Sequence, residues 1–224
     1  MSDLPKKLQD FRNFLWMTWN HLALPAPTPI QYEIAEWMQH GPRRGVIQGF
    51  RCVGKSWICS AFVVHQLLLD PQKNILVVSA SKNRADDFST FTLRIIHEME
   101  ILGHLKPNDK QRFSKISFDV GPAQASHAPS VKSLGITSQL TGSRADIVVA
   151  DDVEVPNNSA TQSMRDKLSE QVKEFEAILK PNDDSRILFL GTPQCEDSIY
   201  NKMLERDYET RIWPAKKIGL EKSE

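Results

Sequence analysis

Apolar residues recur at helical spacing along the first 22 positions. Leu8, Phe11, Leu15, Trp19 and Leu22 stand three or four apart, which predicts one amphipathic helix over residues 6–22. The Pro-rich stretch 24–29 ends it. A second helix is predicted from Pro29 to Gln39, with proline at the first position, where a missing N–H costs nothing. Beyond Gly41-Pro42 the period changes, and short apolar runs alternate with longer helical stretches: 45–49 then 54–69, 75–79 then 83–102, 147–150 then 162–179, and 187–190 then 197–205. Runs such as Ile-Leu-Val-Val at 75–78 and Ile-Val-Val-Ala at 147–150 show no polar alternation, so they suit strands covered on both faces, which are parallel. The alternation predicts an α/β fold, a doubly wound and mostly parallel sheet with helices on both faces. Residues 105–133, with their Pro, Gly, His and Ser, read as a loop-rich excursion holding one or two short strands.

Composition narrows this picture without redirecting it. The 224 residues suffice for one large α/β domain. The 28 basic and 28 acidic residues cancel, so no global field draws the chain to nucleic acid or membrane, and any DNA contact is local. No apolar run approaches the roughly 20 residues of a membrane span, and no signal-peptide core opens the chain; a cytoplasmic protein without membrane partners is expected. Cys52, Cys59 and Cys195 have no metal spacing and read as reduced thiols.

The chemistry begins at Gly49-Phe50-Arg51-Cys52-Val53-Gly54-Lys55-Ser56, a full match to G-x-x-x-x-G-K-S/T between a predicted strand and a predicted helix. In such a loop the glycines let backbone N–H groups turn inward around phosphate oxygens, and the helix N-terminus adds its positive dipole end. Lys55 would reach the β- and γ-phosphates of ATP, and the Ser56 hydroxyl would hold Mg²⁺. Arg51, inside the loop, is either a solvated surface arginine or one bent towards the γ-phosphate of its own subunit.

The strand at 147–150 runs into Asp151-Asp152-Val153-Glu154, at the edge where open α/β sheets place their ligand chemistry. Asp151 would orient the Mg²⁺. Asp152 and Glu154 are the two candidates for the base that polarises the attacking water, and adjacency to the metal ligand favours Asp152. Gln31, some 20 residues before the phosphate loop, can read both edges of adenine with its amide. Thr192 ends the apolar strand Leu188–Leu190 after Gly191 and could sense the γ-phosphate. Arg144, in the polar loop only seven residues before Asp151 and so expected near the sheet's catalytic edge, could be presented to a neighbouring subunit's ATP. It reads equally as a surface residue.

Together these motifs resemble the ATPase domain of the large terminase subunit, the genome-packaging motor of tailed double-stranded DNA phages, and within it the short-tailed podovirus branch. The stretches that carry the resemblance are 50–56, 75–85 (ILVVSASKNRA), 116–122 (ISFDVGP), 129–135 (PSVKSLG), 137–156 (TSQLTGSRADIVVADDVEVP) and 190–194 (LGTPQ). The resemblance covers roughly residues 10–215. It implies a P-loop NTPase of the additional-strand, RecA-like division, in which the strand at 187–190 lies between those at 46–49 and 147–151. It also implies ATP and Mg²⁺, double-stranded DNA, a ring (a pentamer) docked on the procapsid portal in the host cytoplasm, and a small terminase subunit as partner. The family's nuclease domain is expected to be absent, and no nuclease activity is expected from this chain. The division expected is an N-terminal helical segment with the adenine motif (1–40), an ATPase core (41–215) and a tail or linker (216–224). Asp152 departs from the glutamate that many relatives carry.

Two other readings compete. A helicase-like DNA-dependent ATPase shares Gln31 and the phosphate loop, but it ordinarily needs a second RecA-like domain. A non-catalytic nucleotide-dependent assembly module would lack an acid or the lysine, and Lys55, Ser56, Asp151 and Asp152 are all present.

Overall fold

The computed structural model describes residues 4–215; the segment 216–224 expected to be a tail or linker lies outside them. The chain opens with α1 (Lys6–Gln9) and α2 (Phe11–His21), not with one helix. Asp10 makes the break: its extended backbone places a carboxylate where it accepts from Arg12 N, so a new helix is capped there. In α3 (Pro29–His40), Thr28 and Gln31 form a reciprocal capping box and Pro29 occupies the first turn.

β1 (Arg44–Gly49), α4 (Lys55–Leu69), β2 (Ile75–Ser79) and α5 (Lys82–Glu98) follow, with a 3₁₀ turn at Glu100–Leu105. The excursion contributes β3 (Ser117–Phe118) and β4 (Val131–Gly135). β5 (Ile147–Asp151), α6 (Pro156–Ser159), α7 (Gln162–Ile178), β6 (Arg186–Gly191), α8 (Ile199–Lys202) and β7 (Glu209–Trp213) complete the chain.

The seven strands are ordered β3-β4-β2-β5-β6-β1-β7, and every pair is parallel except β3 with β4. β6 lies between β1 and β5, as the family resemblance implies. Register sets Leu190 beside both Ile47 and Asp151. The loops after β1, β5 and β6 therefore leave the same rim of the sheet.

Strand residues alternate between two apolar cores. Ile47, Val77, Val149 and Leu188 face α2, α3, α4 and α5; Val46, Val78, Val148 and Phe189 face α7 and α8. α4 is buried along nearly its whole length between its neighbours, which explains why its sequence is apolar almost all round. β7 was not foreseen: only Trp213 of its five residues is buried.

Candidate phosphate-loop site

The loop after β1 turns back on itself through two left-handed residues, Cys52 at φ 70° and Gly54 at φ 86°. Gly54 suits this conformation, whereas Cys52 holds it at a cost of about 1 kcal/mol. α4 starts directly at Lys55, so the loop's backbone and the helix's unpaired N–H groups share one corner. The Lys55 ammonium is nearly buried and donates to Gly49 O (3.0 Å), Phe50 O (3.3 Å) and Thr192 Oγ1 (3.0 Å). Burial draws it below the ordinary lysine value, and the Asp152 and Asp151 charges resist that shift.

Opposite stands the acidic end of β5. Asp151 is buried, and its Oδ1 has no hydrogen-bond partner. Burial pushes its carboxyl up to about 7, with the Asp152 charge adding to the shift, while Ser56, Lys55 and Arg84 pull it down. Asp152 has a left-handed backbone, φ 47°, which turns the chain off the sheet, and its side chain lines the cleft. A cleft of about 580 Å³ joins Arg51, Gly54, Lys55, Ser56, Asp152, Glu154, Thr192 and Gln194. An anion there would meet one ammonium, the loop's N–H groups and a helix N-terminus. A cation would meet Ser56 and the carboxylates.

Glu154 reaches this cleft but is built into the protein. It is 2% exposed; Oε1 accepts from Gln194 N (3.1 Å), and Oε2 accepts from Ser198 Oγ (3.0 Å) and Ile199 N (2.6 Å). Its own N–H donates to the buried Tyr200 hydroxyl (3.3 Å). Tyr200 in turn packs against Gly191, where any Cβ would collide with its ring. Asp152, with no side-chain hydrogen bond among the described residues, is the carboxylate left available of the two candidate bases.

Gln31 lies against the phosphate loop: Nε2 donates to Val53 O (2.9 Å), and Oε1 accepts from Thr28 N (2.8 Å). These bonds fix the amide plane and leave one N–H and one lone pair over. Arg51 crosses the mouth of the cleft and donates to Gln194 Oε1 at 3.2 Å.

Arg144 requires a correction. It was expected near the catalytic rim because it stands seven residues before Asp151. Those residues include the whole of β5, which carries the chain from one rim to the other. Arg144 is exposed on the far rim, beside Ile75 at the start of β2, and it donates to Ser143 O and Ala177 O. It cannot reach the phosphate loop of its own chain.

One residue of the site went unrecognised. Arg84, on the first turn of α5, lines the cleft and also an adjoining pocket of about 300 Å³ shared with Asp151, Trp57 and Phe91. It follows β2 as Asp151 ends β5, and Ser79 and Asp151 are register partners. That neighbourhood is a product of strand order, which motif spacing does not reveal.

Comparison with known proteins identifies the family and the fold. A family profile described as terminase large subunit, T4likevirus-type, N-terminal, matches residues 47–179. The large terminase subunit of Enterobacteria phage T3 is 54% identical over 208 residues, 92% of this chain but 36% of its own length, so the chain spans about a third of that relative. Among solved structures, the HK97 bacteriophage large terminase superposes with a TM-score of 0.61 at 13% identity, covering 94% of this chain and 44% of its own. Saccharomyces cerevisiae Dbp5 bound to RNA and ADP BeF3 gives 0.53 at 16%, covering 89% and 49%. The two structural likenesses show the shared fold, and the profile and the T3 relative show the family. The chain belongs to the terminase large subunits and carries their N-terminal P-loop domain.

Proposed function

We propose that this chain is the ATP-hydrolysing domain of a motor that drives double-stranded viral DNA into a procapsid. One observation carries the reading: loops far apart in sequence bring Arg51, Lys55, Ser56, Asp152 and Thr192 to a single cleft, with Asp151 at its edge.

In this reading the loop N–H groups and Lys55 bind the β- and γ-phosphates of ATP. Asp152 orients the water that attacks the γ-phosphorus, and Arg51 offers charge to the departing phosphate from the same subunit. Thr192 shares the Lys55 ammonium with whatever anion enters, so its hydrogen bonds change when phosphate leaves. Gln31, with one N–H and one lone pair uncommitted, is suited to adenine N7 and N6. Asp151 and Ser56 fit Mg²⁺: a buried carboxylate with an orphaned oxygen and a hydroxyl, completed by phosphate oxygens and water, is the ligand set this ion takes. Bound there, Mg²⁺ neutralises charge on the phosphates. Arg144, excluded from its own site by distance, is left with a role across a subunit contact. The partners proposed are double-stranded DNA, further copies of the chain in a ring, the portal and a small terminase subunit, in the host cytoplasm. Among the described residues no helix is long and apolar enough to cross a membrane.

The test is phosphate release from Mg·ATP, with and without duplex DNA, together with ATP-dependent protection of DNA inside procapsids. Wild type is expected to release phosphate and Lys55→Ala is not. Equal release by both would overturn the ATPase assignment. Strand separation without procapsid filling would overturn the motor in favour of a helicase.

A further inference from the structure

Arg51 stands at the tip of a loop whose neighbouring residue, Cys52, is exposed, and an arginine there has many rotamers open to it. Its guanidinium is nonetheless held by a chain of bonds that begins in the protein interior. Ser198 Oγ and Ile199 N fix the Glu154 carboxylate. Glu154 Oε1 accepts from Gln194 N, which fixes the Gln194 backbone. The Gln194 side chain then donates from Nε2 to Thr192 O at 2.9 Å, so the amide can face only one way and Oε1 is turned to Arg51 Nη2. Reversing that amide would set two carbonyl oxygens face to face and offer the guanidinium a donor.

We propose that Gln194 is a positioning residue that holds Arg51 over the cleft through an uncharged acceptor, and so sets how strongly the site distinguishes a γ-phosphate. The lack of charge is what suits Gln194 to this place. A carboxylate in that place would pair with the guanidinium and compete with phosphate for it. A neutral amide uses one of the five guanidinium N–H groups, leaves the charge uncompensated, and removes the rotamer freedom that binding would otherwise have to suppress. Glu154, named as a candidate base, here becomes the anchor of the arm.

The inference rests on the nucleotide reading of the cleft, and a binding cycle separates the two. Affinities of the 224-residue chain for ATPγS and for ADP are measured with Mg²⁺ by competition against a fluorescent ADP. The proteins are wild type, Arg51→Ala, Gln194→Ala, the double variant and Gln194→Glu, each checked by thermal melting. Arg51→Ala is expected to reduce the ATPγS preference by about ten-fold, the size of a lost charged hydrogen bond. Gln194→Ala should reduce it several-fold, and the double variant should lose no more than Arg51→Ala alone. Gln194→Glu, nearly identical in shape, should also lose preference, because it pairs with the arginine and gives up the bond to Thr192 O. It carries the test if Gln194→Ala does not fold. Additive losses, equal losses for ADP and ATPγS, or a Gln194→Glu protein that behaves as wild type would each overturn the positioning role and leave the nucleotide reading intact. Wild type that binds neither nucleotide overturns both.

Discussion

The Thr192 hydroxyl accepts from the Lys55 ammonium at 3.0 Å and donates to Gly49 O at 2.7 Å, so a single oxygen joins the end of β6 to the phosphate loop. Thr192→Val keeps the shape and removes both bonds. Hydrolysis is expected to fall by about ten-fold or more while ATP affinity changes little, because the hydroxyl acts on the position of the lysine. Thr192→Ser should stay near wild type. Steady-state turnover and equilibrium binding check this, and a Thr192→Val enzyme with wild-type turnover would remove Thr192 from the mechanism.

The two candidate bases predict opposite phenotypes. Asp152→Asn should melt like wild type, bind ATP and fail to hydrolyse it. Glu154→Gln should lose about 1–3 kcal/mol of stability, because its amide N–H₂ would face groups that are already donors. Thermal melts and phosphate release on both proteins decide the matter. If Glu154→Gln melts normally and does not turn over, the assignments are reversed.

Much of this site is legible in the amino-acid sequence, because it depends on local order. The phosphate loop, the acidic end of β5 and the hydroxyl after β6 each declare themselves within eight residues. What stayed hidden depends on neighbours distant in sequence. The donors that occupy Glu154 come from positions 40 to 45 residues later. Arg84 joins the site only because β2 pairs with β5. β7 escaped notice because an edge strand with one buried residue need not be apolar. The misplacement of Arg144 was avoidable: a strand rises about 3.3 Å per residue, so the five residues of β5 separate the two rims.

His65 makes stability depend on pH. It is fully buried between Phe11 and Phe14, with ring centroids 5.2 and 5.4 Å away, and its Nε2 lies 2.9 Å from Leu8 O, so the neutral ring donates there. Burial lowers its pKa from 6.5 to about 4, a shift that the bond to Leu8 and the Asp10 charge oppose. The unfolded chain therefore takes up the proton first as pH falls. This contribution is intact above about pH 6.5 and declines towards pH 4, by up to about 3 kcal/mol. Urea melts between pH 7.5 and 4.5 measure it. His65→Gln, which can keep the bond to Leu8, should flatten the slope, and an unchanged slope would assign the effect to other groups.

Arg144 can be tested by complementation. Its subunit keeps a complete cleft when it is changed to alanine, while a Lys55→Ala subunit keeps the arginine. Rings assembled from both are expected to recover turnover that neither variant shows alone. Absence of recovery in rings shown to be mixed would remove the role of Arg144 across the contact and move it to Arg51.

α3 has a consequence of a mechanical kind. Its first turn is tied by Gln31 to Val53 O, and its far end is capped by Arg186, which donates to the carbonyls of Met38, Gln39, Gly41 and Pro42. Twelve helical residues measure roughly 18 Å, about the height of the six-residue strand β1 beside it. The helix is thus a column standing the full depth of the sheet and clamped at both feet. Because a hydrogen-bonded column is stiff along its axis, the phosphate loop at its head and the base of β6 at its foot are joined by one element, through which a displacement of the first would act on the second.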